Sequence, residues 1–296
     1  MITKFGKRFI SNLLAGNVSL ANRDLAFGIG STAANDGNTR LEFEFYRMPA
    51  SFGSIEIIDN NGTYEYYVIY KGTLPQDVAG EIKEIALFPG TRTSINNFDS
   101  QFIADFEDQT SWFDSGGFNP TPYDDLVTPP AAKIGTRMMQ VTATSNSTKE
   151  YKANINSFDI SGYSVNDTLA LSYYKNDNNL SNIKVRFYSS ATDYYEATLV
   201  SSPASGTGHR ISSVSLSTML NNPVNNPVAN DISQISIIVT ATSGGSSTVY
   251  FDGLRINDED TFDPTFGMIS RSVLATSLNK VAGRPTDIEY KMEITF

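Results

Sequence analysis
The chain of 296 residues contains no cysteine and a single histidine, His209. With no thiols, disulfides cannot stabilise it, and thiolate nucleophiles and thiolate zinc sites are excluded. A multi-histidine metal centre or a histidine-based triad is not expected, and His209, in the turn Gly206-Thr-Gly-His, reads as a loop residue. Positive charge is also scarce. The formal net charge is −10, and no basic cluster exceeds Lys4, Lys7 and Arg8. Affinity for a phosphate backbone depends on concentrated positive charge, so no nucleic-acid partner is expected. No apolar run approaches the roughly 20 residues of a spanning helix, so no membrane partner is expected either.

What is abundant points to strands. Ser, Thr, Asn and Gly are frequent, and the chain holds 15 Tyr and 18 Phe. Polar turn formers together with aromatics are the profile of a mainly β protein. One helix is expected over residues 3–16, where Phe5, Phe9, Ile10, Leu13 and Leu14 form a stripe opposite Lys4, Lys7, Arg8 and Asn12. Thr3 suits its N-cap and Gly16-Asn17 its stop. Ser11, Asn12 and Asn17 break the apolar run, so this segment reads as a helix of the mature protein and not as a signal peptide.

Strands are expected at 24–30, 41–47, 54–59, 64–70 and 80–88, with Asn60-Asn-Gly62 as a hairpin turn. Gly28-x-Gly30 lacks the third glycine and the helix of a phosphate loop, and reads as close backbone packing. At the far end a short strand falls within 266–278. Residues 287–296 then alternate Ile288, Tyr290, Met292, Ile294 and Phe296 with polar residues. A terminal strand needs a neighbour, and 41–47 or the 54–70 hairpin would serve. Residues 1–95 and 262–296 are therefore expected to form one discontinuous β-rich domain carrying the helix, with 98–258 inserted as a β-sandwich.

Within 98–258, strands are expected at 102–107, 136–143, 149–158, 167–175, 182–189, 194–200, 210–216, 233–241 and 248–256. Turns every 8–15 residues suit a sandwich or jelly roll. Asp105-Phe106-Glu107 leads to the single tryptophan, Trp112, read as a core or rim anchor. Asp159-Ile-Ser-Gly-Tyr163 precedes Leu169-x-Leu-x-Tyr173, and Ile235-x-Ile-x-Val239 precedes Val249-Tyr-Phe-Asp-Gly-Leu-Arg-Ile256. This order resembles the jelly-roll carbohydrate-binding modules. The resemblance implies a structural calcium, with Glu107 and Asp252 as carboxylate ligands and backbone carbonyls completing a shell of about six to eight oxygens. The competing reading has Asp252 bonded to turn amides and Glu107 facing solvent. Alternation places Tyr174, Arg186, Tyr188, Tyr194 and Glu196 outside, where tyrosine rings could stack on sugars. Surface tyrosines also serve cross-strand packing alone.

The flanking sequence carries a second resemblance. A helix ending Leu13-Leu-Ala-Gly16 precedes Gly28-Ile-Gly-Ser-Thr-Ala-Ala34, then Leu41 to Arg47, then Gly80-Glu-Ile-Lys-Glu-Ile-Ala-Leu-Phe88. The order is similar to that of virion proteins of tailed bacteriophages, among tail-fibre, baseplate and capsid-decoration components. Ala86 stands where a glycine is usual. This resemblance implies a non-catalytic structural protein of the virion, assembled in the host bacterial cytoplasm. Its split domain would anchor it to other virion proteins and to copies of itself, and a projecting jelly roll would touch host-surface glycans. The alternative is a free carbohydrate-binding protein, secreted or surface-bound. A glycosidase would need two carboxyl groups about 5–10 Å apart. Asp105, Glu107, Asp124, Asp125 and Glu196 qualify by type only, and their spacing selects no pair.

Overall fold
A computed structural model of the chain describes residues 1–18, 23–89, 101–124, 130–163, 167–201, 206–257 and 267–294. The chain forms two compact units, Met1–Ile95 with Glu259–Phe296, and Asn96–Asp258. It opens with α1 (Lys4–Leu14), β1 (Arg23–Gly28), β2 (Glu44–Asn60), β3 (Thr63–Leu74) and β4 (Gly80–Phe88). The second unit holds β5 (Gln101–Ala104), β6 (Trp112–Phe113), β7 (Thr121–Tyr123), β8 (Met138–Ala143), β9 (Thr148–Phe158) and β10 (Thr168–Lys175). It continues with β11 (Leu180–Tyr188), β12 (Tyr194–Ser201), β13 (Gly208–Ser215), α2 (Leu216–Leu220), β14 (Pro223–Val224), β15 (Ile232–Ala241) and β16 (Ser247–Asn257). The chain then returns to the first unit with β17 (Ser270–Lys280) and β18 (Thr286–Ile294). The protein is mainly β, as its composition leads one to expect.

The first unit is one antiparallel sheet in the order β17-β4-β1-β2-β3-β18. The terminal strand β18 pairs with β3, from Thr286 opposite Leu74 to Ile294 opposite Tyr66. The strands expected at 41–47 and 54–59 are a single strand, β2, running through Pro49. Pro49 pairs with Asp24 of β1, and the pairing of β2 with β3 begins only at Ser51 opposite Lys71, so the proline stands where β2 has a strand on one side only. The hairpin tip is Asn61-Gly62, both with positive φ (54° and 89°), the conformation of a type I′ turn.

Helix α1 is fixed by its cap and its apolar stripe. The Thr3 hydroxyl accepts from the Gly6 N–H at 2.9 Å, and Gly16 (φ 76°) ends the helix. Phe5, Phe9 and Ile10 pack on a core built from Leu25, Phe27, Val68, Tyr70, Ile82 and Met292. Gly6 lies so close to β17's approach that a Cβ would overlap the Ile269 carbonyl. The helix can therefore sit on this sheet only through a glycine.

One buried carboxylate ties this unit together. Glu84 is fully buried and accepts the N–H groups of Gly30 (3.1 Å), Glu42 (3.1 Å) and Phe43 (3.0 Å). Its Oε2 also receives Arg271 Nε at 2.9 Å and lies 2.7 Å from Arg271 Nη2. A side chain at Gly28 or Gly30 would collide with this carboxylate, which accounts for the Gly28-x-Gly30 spacing.

The second unit is a β-sandwich. One sheet runs β13-β10-β16-β8-β7, with β5 also paired to β16, and the other runs β14-β12-β11-β15-β9-β6. The first and last strands, β5 and β16, are neighbours, with Gln101 opposite Ile256. Between the sheets lie Leu169, Leu171, Tyr173, Ile183, Val185, Phe187, Val249 and Phe251. Trp112 is 3 % exposed and stacks on Phe106 at 5.2 Å, so it is a core residue. Three short strands that sequence reading missed, β6, β7 and β14, are two or three residues long, too short to show alternation.

Candidate functional site
Alternation in the two central strands of the first sheet turns Tyr173, Val249 and Phe251 into the core and leaves Tyr174 and Tyr250 on the outer face. Register aligns His209, Tyr174, Tyr250 and Gln140 as successive cross-strand partners. From β7, Tyr123 meets Tyr250 edge-on with centroids 4.7 Å apart and planes at 63°. Tyr174 meets it from the other side at 6.2 Å and 72°. Tyr250 is thus almost covered at 7 % exposure, while Tyr123 and Tyr174 are half-buried. Burial first, and then the neighbouring Tyr123 and Tyr174 hydroxyls, raise the Tyr250 phenol above its ordinary pKa. The result is a row of three rigid aromatics bordered by an amide and an imidazole. Tyr123 and Tyr174 are the members open to stack on the C–H groups of a flat apolar ligand face, with Tyr250 as the covered support between them and hydrogen bonds available at the margin.

The expected sugar cluster does not hold together. Tyr174 belongs to β10 in this first sheet, whereas Arg186 and Tyr188 on β11 and Tyr194 and Glu196 on β12 belong to the other. Alternation fixes which face a side chain takes, but not which sheet its strand joins. Tyr188 is not an exposed stacking surface either. It is 2 % exposed, under the Lys152 ammonium at 4.2 Å and beside Tyr194 at 4.9 Å. Its hydroxyl donates to Glu150 at 2.8 Å. Burial, with Glu150 adding to it, pushes its pKa up to about 12.

The other three members bind one another. Arg186 Nε donates to Glu196 Oε2 at 2.7 Å, and Lys184 donates to Glu196 Oε1 at 2.7 Å. The Arg186 guanidinium lies over the Tyr194 ring at 4.4 Å. Burial lowers the pKa of Arg186, but the Tyr188 and Glu196 oxygens outweigh it and keep the guanidinium charged. This is a cross-strand packing and ion-pair network. Along the same sheet a groove of about 1000 Å³ is lined by Phe113, Lys149, Lys152, Asn154 and Gln234, among others. Lys149 is held there by Asp114, and the groove has no aromatic row.

Asp252 is the extra residue of a bulge in β16, because Tyr173 faces Phe251 and Ser172 faces Gly253. Its carboxylate is fully buried under the Lys133 and Ile134 amides, at 3.0 and 3.3 Å. Burial, with the Glu107 charge adding to it, pushes its pKa up to about 8 against these amide bonds. Glu107 does not face open solvent. It accepts the Thr136 N–H and hydroxyl, each at 2.8 Å, and the Arg137 N–H at 3.0 Å.

Glu107 and the wholly buried Asp252, whose pKa the Glu107 charge helps to raise, are carboxyl groups of the type that a divalent ion takes. Among the described residues, however, no group of three acidic or histidine side chains completes the shell, so backbone and water oxygens would have to do so.

His209 lies in a strand, β13, and not in a loop. Its Nε2 is 2.8 Å from Ser172 Oγ and 3.9 Å from Asp252 Oδ2. Serine and aspartate face the same ring nitrogen, whereas a nucleophilic triad needs them on opposite ones. Of the acids considered for a glycosidase, Glu107 and Glu196 are engaged as described, and Asp105 accepts the Glu107 N–H at 3.1 Å. Asp124 ends the described stretch after β7, and Asp125 lies outside the described residues.

Sequence reasoning missed Tyr123, Tyr250, Gln140 and the placement of His209. The outward position of Tyr250 was legible from its core-facing neighbours Val249 and Phe251.

No protein-family model and no curated protein matches this chain. Among solved structures, similarity is found to the family 11 carbohydrate-binding module of a cellulosomal cellulase of Clostridium thermocellum. Identity is 10 %, covering 55 % of this chain and 96 % of that one, with a TM-score of 0.38. A non-crystalline cellulose-specific module of family 28 shows 14 % identity over 54 % and 96 % of the chains, at 0.35. The enzymatically active domain of tailspike protein 4 of bacteriophage CBA120 shows 10 % identity over 55 % and 21 %, at 0.30. At TM-scores below 0.5 these likenesses assign this chain neither a ligand nor an activity.

Proposed function
We propose that this chain is a structural component of a tailed-phage virion, with a β-sandwich that contacts host-surface glycans. Met1–Ile95 with Glu259–Phe296 would attach it to other virion proteins and to copies of itself. Its location would be the virion, assembled in the host bacterial cytoplasm.

The observation that carries this reading is the convergence on Glu84. Three of the sequence words that resemble virion proteins, at 28–34, 41–47 and 80–88, meet at that one carboxylate. Segments that bond one buried carboxylate are constrained together, which supports reading these words as one pattern. A cryo-EM map of an intact particle is expected to contain this chain in a repeating position. A purified chain that associates with no particle component overturns the reading.

The glycan contact is assigned to the row Tyr123, Tyr250 and Tyr174, in place of the cluster around Tyr188. A glycan array probed with the full chain and with Tyr250→Ala tests it. Binding that the substitution abolishes supports it, and no signal for any glycan counts against it. The same row equally favours a second reading, a free carbohydrate-binding protein, secreted or surface-bound, and the particle map separates the two. No catalytic role is proposed, because the carboxylates described above are taken up by amides and cations. Glu107 and Asp252 are proposed to hold a structural calcium, which would supply the positive charge that this pair lacks.

A further inference from the structure
The hairpin β2–β3 runs past the core of its unit. Strand β2 is 17 residues long, yet its pairing with β1 ends at Ala50 opposite Arg23. Beyond that point β2 pairs only with β3 among the described residues. Its outer edge along residues 55–60 therefore leaves backbone hydrogen-bonding groups without a strand partner among the described residues.

The two faces of this extension differ. On one, Phe52, Ile55 and Ile57 line up with Tyr70, Val68 and Tyr66 of β3. Next to them on β18 stand Tyr290, Met292 and Ile294. This is the core face, continued to where nothing covers it: Ile55 is 57 %, Ile57 59 % and Tyr64 57 % exposed. The opposite face is charged and internally paired, with Lys291 to Glu56 at 2.6 Å and Lys71 to Glu289 at 3.4 Å. Strand β18, at the sheet's own edge, carries Glu289, Lys291 and Glu293, the charged residues that guard an edge against pairing. The β2 extension carries only Glu56 and Asp59, and both are engaged within the hairpin and its neighbour, Glu56 by Lys291 and Asp59 by the Gly62 N–H at 2.7 Å.

We infer that residues 52–60 of β2 pair antiparallel with the same segment of a second copy of this chain, continuing the sheet across a two-fold axis. Both the edge and the charge argue for this occupant. An unpaired strand edge is completed by another strand, and a two-fold contact between copies uses the same patch twice. Copies carrying −10 each repel one another except where charge is neutralised. At this edge the one carboxylate at its centre, Glu56, is already matched by Lys291. A register centred on Glu56 sets Ile55 of each copy opposite Ile57 of the other, which joins the two exposed apolar rows and removes them from water; it also sets the two Glu56 side chains opposite each other, each neutralised by its own Lys291. This surface lies in the other unit from the tyrosine row, so the inference stands independently of glycan binding.

Sedimentation velocity of the full chain between roughly 1 and 100 µM tests it, a range that brackets a micromolar dissociation constant. Wild type is expected to associate, and Ile57→Lys to weaken association at least about tenfold with an unchanged far-UV circular dichroism spectrum. Ile57→Thr, a strand-compatible polar change, serves as the second variant should the lysine disturb folding. A wild type that stays monomeric across this range, or association that neither variant weakens, overturns the proposal. The register has its own test, because the chain has no native cysteine. Mild oxidation of an equimolar mixture of Ile55→Cys and Ile57→Cys chains is expected to give more disulfide dimer than either chain alone. Equal or absent cross-linking refutes the pairing.

Discussion
Glu84 on β4 and Arg271 on β17 form a buried ion pair across the sheet, at 2.7 Å and 187 residues apart in sequence. Arg271 is also held by Asn38 Oδ1 at 3.1 Å. Removing one partner leaves a buried charge without compensation, at a cost of about 3–5 kcal/mol. Arg271→Met is therefore expected to lower unfolding free energy by that amount in urea titrations. The double variant Glu84→Gln with Arg271→Met is expected to recover part of it, because no unpaired charge remains. A single variant as stable as wild type would show that the pair is not the centre of this unit.

Gly6→Ala places a methyl group against the Ile269 carbonyl. Backbone cannot rotate away as a side chain can, so the helix must lift from β17, at a cost of about 1–3 kcal/mol. In an ordinary exposed helix the same change stabilises. A thermal midpoint at or above that of wild type would contradict the packing described.

Glu196 reports on acid. Burial raises its pKa, but the Lys184 and Arg186 hydrogen bonds outweigh that and hold it below the ordinary 4.5. A carboxyl lowered in the folded state contributes stability above its unfolded pKa and loses it as pH falls through the folded one. The stability gap between wild type and Glu196→Gln is expected to be full at neutral pH and to close below the ordinary glutamate range. A gap that widens on acidification contradicts the network.

Calcium is expected to raise the thermal midpoint of wild type by mass action and to leave Asp252→Asn unmoved. Magnesium, which demands a tighter octahedral site, is expected to be weaker. No midpoint shift with calcium after chelator treatment removes the proposed ion.

For glycans, Tyr174→Ala and Tyr250→Ala are expected to abolish binding, while Tyr188→Phe leaves it unchanged. The Tyr188 ring is already covered by Lys152 and Tyr194. Loss with Tyr188→Phe and not with Tyr250→Ala would return the site to the other sheet.

Local features were readable because their causes are local. The stripe of α1, its Thr3 cap and the Asn61-Gly62 turn follow from neighbours within a few residues. What failed depended on partners distant in sequence. Tyr174 was grouped with Arg186 because both face outward, and nothing within 168–188 tells which sheet a strand joins. The pairing of Glu84 with Arg271, and the glycines at 28 and 30 that make room for it, is legible only once β4 and β17 are side by side. The strands expected at 41–47 and 54–59 proved to be one, because residues 48–53 show no alternation of their own and are held in β2 by pairing with β1 and β3.

The pairing of β4 with β17 also sets an order of events at the ribosome. Strand β4 ends at Phe88, and its partner β17 begins at Ser270, beyond the whole of the sandwich. Synthesis proceeds at about 5–20 residues per second, so β4 waits many seconds for β17 with one edge open. Every strand of Asn96–Asp258 is made before β17 and leaves the ribosome ahead of it. The sandwich can therefore close while the other unit is still incomplete, with β1 to β4 waiting for strands made after it.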